Sequence, residues 1–143
     1  MSVVAAARGW IGTPYVHQAS CRGAGTDCLG LVRGVWREVL GREPEGPPAY
    51  TRDWSEVAGE EALWAAARRR LRVVPAGRAM RPGEVLLFRM RSGSVAKHLG
   101  ILSAGGATPR FIHAYSGRGV VECALSRPWA RRVVARFDFP LEG

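Results

Sequence analysis

Cys28 is the residue whose type and position say most about chemistry. It follows Gly25-Thr26-Asp27 and opens the run Cys28-Leu-Gly-Leu-Val-Arg-Gly-Val-Trp-Arg-Glu-Val-Leu40. Leu29, Val32, Val35, Trp36, Val39 and Leu40 recur there at helical spacing, which predicts a helix capped by Thr26 or Asp27 and stopped by Gly41. A thiol in a helix's first turn faces backbone N–H groups that have no partner within the helix. Such a placement lowers a thiol pKa from ~8.5 toward ~3.5–7.5 and makes a nucleophile, whereas an ordinary cysteine is a small core residue.

His98 and His113 supply a base and an orienter. They fall in strand-like runs, Lys97-His-Leu-Gly-Ile-Leu102 and Arg110-Phe-Ile-His-Ala-Tyr115. Alternation puts His98 with Gly100 and Leu102, and His113 with Phe111 and Tyr115. A tight turn at Gly105-Gly106 would set His98 directly opposite His113, with Cβ atoms ~4.5–5.5 Å apart. A cysteine at a helix start, packed against two such imidazoles, has the parts of a nucleophile–base–orienter set.

The elements that must hold these residues are readable in outline. Ser2 caps a short first helix reaching Trp10, and Gly12 and Pro14 break it. Gly30 and Gly34, four apart, make a smooth stripe on the Cys28 helix and call for a close neighbour. Residues 42–52 form a Pro-rich connector. A further helix is expected over Asp53–Leu71, opened by Asp53 or Ser55, with Leu63, Trp64, Ala67 and Leu71 inward and Arg68, Arg69, Arg70 and Arg72 as a solvated end. After Pro82-Gly83 five strands are expected, over 84–91, 97–102, 110–115, 119–124 and 131–139. Turns at Ser92-Gly-Ser94, Gly105-Gly106 and Ser116–Gly119 join four of them. Helices first and a strand meander afterwards predict an α+β domain, its N-terminal helices packed on a C-terminal antiparallel sheet of about five strands.

Composition supports one folded domain over residues 1–143. The 143 residues are 47% hydrophobic and 23% charged, which argues against disorder. No apolar run approaches the ~18–20 residues that cross a bilayer, so no transmembrane segment is expected. Lys plus Arg total 21 against 12 acids, and only Lys97 is a lysine. The net charge of +9 predicts attraction to anionic partners such as nucleic acid, acidic lipid or a polyanionic cell wall. Three cysteines, Cys21, Cys28 and Cys123, are too few and odd in number for a disulfide framework. Residues 1–10 lack the pattern of a signal peptide, so the chain is expected to be made in the cytoplasm.

Gly12-Thr-Pro-Tyr15, Thr26-Asp-Cys-Leu-Gly-Leu-Val32, Pro82-Gly-Glu-Val-Leu-Leu-Phe88, Lys97-His-Leu-Gly-Ile101 and Phe111-Ile-His-Ala114 occur in this order. Together they resemble the NlpC family of papain-like cell-wall endopeptidases, over nearly the whole chain. The compact chain further resembles the tail-associated cell-wall peptidases of phages and gene transfer agents. The resemblance implies a papain-like fold, Cys28 as nucleophile, His98 as general base and His113 as the residue orienting it. It implies Tyr15 at the oxyanion site, with the Cys28 N–H as second donor, and Asp27 near the substrate's polar end, where it equally serves as a helix cap. Leu29 stands where the family usually has serine, so that position offers no hydroxyl to a substrate amine.

The implied reaction is hydrolysis of γ-D-glutamyl–diaminopimelate bonds in peptidoglycan stem peptides through a thioacyl enzyme, with no metal or other cofactor. The implied setting is a virion or tail tip, with a tail hub or tip protein as partner, acting in the periplasm or cell wall. His17 lies between Tyr15 and Cys28, either lining the substrate groove or on the loop surface. Cys21 reads as a bystander and Cys123 as core, and the tryptophans as packing, with Trp54 or Trp129 meeting glycan if exposed. A zinc site fits poorly, because the cysteines and histidines lack paired ligand spacing. A tail adaptor without activity, or an arginine-rich nucleic-acid module, are the other readings. The chain shows no recognition-helix or RNA-binding motif, so specific nucleic-acid binding is not expected.

Overall fold

Ser2 starts the first helix by accepting the Ala5 N–H at 3.0 Å, and α1 runs over Val3–Arg8. The structure is a computed structural model that describes residues 2–43 and 61–141. A small ribbon follows, β1 (Ser20–Cys21) paired antiparallel with β2 (Gly25–Thr26), and leads into α2 (Cys28–Leu40). Gly41, at φ +88°, closes α2 as its residue type predicts.

Of the helix expected over 53–71, α3 (Ala62–Arg70) is present, with Leu63 and Ala67 buried. Its expected start at Asp53 or Ser55, Trp54 and most of the Pro-rich connector lie outside the described residues. Leu71 leaves the helix in an extended conformation, and β3 (Arg72–Val73) is a short strand that the sequence reading left out. Arg68 and Arg69 are exposed, and the Arg68 guanidinium lies over the Trp64 ring.

The main sheet holds the five expected strands: β4 (Val85–Phe88), β5 (His98–Ala104), β6 (Arg110–Tyr115), β7 (Gly119–Ala124) and β8 (Val133–Asp138). With β3 it has six strands in the order β3-β8-β4-β5-β6-β7, every pair antiparallel. This is the expected α+β architecture. The chain departs from a simple meander after β7, where β8 returns beside β4. The return passes through a one-turn helix, α4 (Arg127–Ala130), whose Trp129 packs on Phe88 of β4 and Phe111 of β6.

Alternation divides the strands' side chains between two cores. Val85, Leu87, Leu99, Ile101, Ile112 and Ala114 pack with Val3, Ala6, Leu31, Val35 and Leu63 of the helices. Leu86, Phe88, Leu102 and Phe111 form the second core with Leu125, Trp129, Met80 and Cys123.

The β5–β6 register corrects the sequence reading. Ile101 pairs with Ile112 and Leu102 with Phe111, and the register then shifts before Ala104 meets Arg110. Extended toward the histidines, it sets Gly100 opposite His113 and His98 opposite Tyr115. The turn is longer than a two-residue hairpin: β5 continues to Ala104, Gly106 adopts φ +75°, and the chain re-enters the sheet only after Pro109. A displacement of two residues leaves every side chain on its face, so the imidazoles still meet, as diagonal neighbours.

Candidate active site

The site begins with the cap of α2. Asp27 is buried, and its Oδ1 accepts the Gly30 N–H at 2.7 Å. Its Oδ2 accepts the Gln18 N–H, also at 2.7 Å, so one carboxylate caps the helix and pins the loop before it. Asp27 rather than Thr26 is therefore the cap. Asp27 is 2% exposed, and both of these bonds are made to the protein's own backbone. The loop lies on the helix's first turn because Gly30 has no side chain: a Cβ there would stand 1.9 Å from the Ala19 carbonyl oxygen. At Gly34 a Cβ would stand 2.0 Å from the Trp10 ring, which supplies the close neighbour that the two glycines call for.

Tyr15 is strung alongside Thr26 by two backbone bonds, Thr26 N–H to Pro14 O and Val16 N–H to Thr26 O, each 3.0 Å. This places Tyr15 beside the chain that leads into Cys28. His17 sits in the same loop, half-buried, with Nδ1 3.9 Å from Asp27 Oδ2.

Cys28 is half-buried at the start of α2, and its Sγ lies 3.9 Å from the Lys97 carbonyl oxygen. The Leu99 backbone also bonds to the thiol, so the sulfur rests on the peptide units on both sides of His98. The expected drop in thiol pKa does not occur. Burial, reinforced by the Asp27 charge, pushes the Cys28 thiol up to about 12 against the pull of backbone bonds from Leu99, Leu29 and Cys28 itself. The helix start is present, but the desolvation around it dominates.

His98 and His113 are both buried, and His98 Nε2 lies 2.7 Å from His113 Nδ1. The expected imidazole pair is thus formed. His98 meets His113 through Nε2, the contact expected of a base held by an orienting residue, and its Nδ1 is left for another partner. Burial, then the neighbouring His113, lowers the His98 pKa to about 3, and burial lowers that of His113 to about 4. Burial thus favours the neutral forms of the thiol and of both imidazoles. Trp129 stands across both rings at centroid distances of 5.8 and 5.0 Å, and Phe88 and Tyr115 complete the enclosure. Trp129 is thus a wall of the histidine site rather than an open platform for glycan.

Two contributors escaped the sequence reading. Trp129 had no local pattern to mark it. Cys123 packs against the second core as expected, and its Sγ also lies 3.5 Å from His113 Nε2. The signal was available: a tight turn over 116–119 sets Cys123 opposite Phe111, diagonal to His113 on the same face. Cys21 is exposed and free. Among the described residues, no three His, Cys, Asp or Glu side chains group to hold a metal ion, and no helix is long and apolar enough to cross a membrane.

A family model described as the NlpC/P60 family matches residues 12–137, a span that contains every candidate residue above. The Gamma-DL-glutamyl hydrolase of Bacillus subtilis (strain 168) is 30% identical over 139 residues, covering 95% of this chain and 29% of its own length. The chain therefore spans under a third of that relative. Among solved structures, the NlpC/p60 domain of the peptidoglycan hydrolase SagA superposes with a TM-score of 0.65 at 24% identity, over 96% of this chain and 97% of that one. NlpC1 from Trichomonas vaginalis gives 0.61 at 18% identity, over 96% of this chain and 42% of that one. At these identities the two structures show the fold alone.

Proposed function

The chain belongs to the NlpC/P60 family of cysteine peptidases, and we propose that it hydrolyses γ-D-glutamyl–diaminopimelate bonds of peptidoglycan stem peptides through a thioacyl enzyme at Cys28. The observation that carries this reading is the seat of the Cys28 sulfur, against the peptide units flanking a histidine whose Nε2 is already committed to a second imidazole. The name of the Bacillus subtilis relative, a γ-DL-glutamyl hydrolase, supports the γ-glutamyl class of bond.

Catalysis then proceeds without a pre-formed ion pair. His98 uses Nδ1, the ring nitrogen turned away from His113. It takes the Cys28 proton as the sulfur bonds to the γ-carbonyl carbon, because a thiol held near 12 does not ionise beforehand. The Cys28 N–H and Tyr15 hold the resulting oxyanion, and one such donor contributes ~2.7–4 kcal/mol in enzymes of this logic. Collapse breaks the C–N bond, and the diaminopimelate amine leaves with the proton from His98. Water, deprotonated in turn by His98, attacks the thioester, releases the γ-carboxylate and returns the proton to sulfur. His113 keeps the His98 ring oriented, and Asp27 holds the helix start and loop in place.

Incubating wild type and Cys28→Ala with purified peptidoglycan, and weighing the released fragments, tests this. Cleavage between γ-D-glutamate and diaminopimelate by wild type alone is the expected result. Cleavage by both proteins overturns the nucleophile, and intact stem peptides freed from muramic acid overturn the bond. Delivery by a phage-like tail, through a hub or tip protein, is the proposed setting, with action in the periplasm or cell wall. It is supported by the resemblance of the compact chain to tail-associated peptidases. Mass spectrometry of purified particles tests it: the chain among the particle proteins supports tail delivery, and particles without it overturn it.

A further inference from the structure

The imidazole pair continues into a third side chain. His98 Nε2 meets His113 Nδ1 at 2.7 Å, and His113 Nε2 meets Cys123 Sγ at 3.5 Å. The three come from neighbouring strands β5, β6 and β7. Both imidazoles are buried, which favours their neutral forms. A neutral imidazole has one N–H and one acceptor nitrogen, so the chain of three has two self-consistent proton arrangements.

In the first, His113 donates its Nε2–H to the Cys123 sulfur and accepts the His98 Nε2–H at Nδ1, leaving His98 Nδ1 unprotonated. In the second, the Cys123 S–H donates to His113 Nε2, and His113 donates its Nδ1–H to His98 Nε2. His98 Nδ1 then carries a proton and cannot receive another. Only the first arrangement leaves His98 ready to act as a base.

We propose that Cys123 is a positioning residue whose sulfur, by accepting from His113, selects the proton arrangement in which His98 Nδ1 is free to take the thiol proton. This rests on the assignment of His98 as general base. Cys123 touches no reacting atom, and its influence passes through His113. Tyr115 neighbours both rings, Arg110 and Arg118 lie near the Cys123 sulfur with Glu122 opposing them in charge, and Arg132 sits over the outer partner, Trp129. Sulfur both donates and accepts weakly, so it biases the equilibrium without locking it.

The test reads the protons directly, in the resting protein and without substrate. Side-chain ¹⁵N spectra of the histidines should show the Nε2–H form for both His98 and His113 in wild type. Cys123→Val should shift His113 toward the Nδ1–H form and lower kcat about three- to tenfold at unchanged KM, the effect of one modest hydrogen bond. Cys123→Ser, whose hydroxyl also accepts, should restore both. Cys123→Asp should move the acid limb of the kcat profile up by about one to three pH units, since a carboxylate favours the imidazolium. An Nδ1–H form of His113 in wild type overturns the proposal, as does a folded Cys123→Val protein with wild-type spectra and kcat. Expected spectra from a wild-type protein inert toward γ-glutamyl peptides would overturn the function and leave the proton arrangement standing.

Discussion

On the helix side of the sheet, β4 and β5 present Val85, Leu87, Leu99 and Ile101 to α1, α2 and α3. On the other side the same strands present Leu86, Phe88, His98 and Leu102 beneath Trp129. The first surface is almost wholly aliphatic and seats the helix that carries Cys28. The second mixes leucines with Phe88, Phe111 and Trp129, whose rings pack around the imidazole pair. Aliphatic packing seats the helix that bears the thiol, and burial in the second surface favours the neutral form of both imidazoles. The sulfur meets the histidine strand at the backbone on either side of His98, where the two surfaces come together at the start of β5.

The sharpest way to break this division is to remove the thiol. Cys28→Ala should lower kcat by about a thousandfold or more while leaving thermal stability near wild type, because an activated nucleophile has no substitute. His98→Ala should cost about 10²–10⁴ in kcat, the range of general acid–base catalysis, and a peptidoglycan digestion assay reads both.

Stability against pH separates the two sides next. The imidazoles have an ordinary pKa of 6.5, held down to about 3 in His98 and about 4 in His113 by burial. An unfolded chain therefore takes up protons first. The stability tied to the neutral rings is complete above about pH 6.5 and is lost as the pH falls toward the folded values. For Cys28 the ordinary pKa is 9.0 and the folded value about 12, so its share is complete below about pH 9 and is lost as the pH rises. Denaturant melts across pH should show His98→Asn flattening only the acid limb and Cys28→Ala only the alkaline one.

A smaller effect belongs to the helix side alone. Gly34→Ala forces a methyl into the Trp10 ring and should cost about 1–3 kcal/mol in denaturant unfolding. At a temperature where the variant is folded, its pH profile should match wild type.

Much of this was legible in the residues themselves. Periodicity located α2 and the five main strands, and the glycine pair foretold the tight seats against Ala19 and Trp10. The pairing of His98 with His113 followed from the hairpin turn and from alternation, and it survived a two-residue error in register because such a shift keeps every side chain on its face. What could not be read was set by tertiary context. Pro109 signals that the turn after β5 can be longer than Gly105-Gly106 alone, but it does not dictate the length, so the register had to come from packing. The thiol pKa depends on how much protein surrounds the sulfur, which a local helix-start pattern does not encode. Trp129 reaches the histidines only because the chain folds back through α4, and nothing near it in sequence points there.

The most direct test of the account is to catch the covalent intermediate. Enzyme quenched in acid during turnover of a γ-D-glutamyl–diaminopimelate peptide should carry one acyl group, mapped by peptide mass to Cys28 and absent from Cys28→Ala. An acyl group on Cys21 or Cys123, or steady turnover by Cys28→Ala, would contradict it.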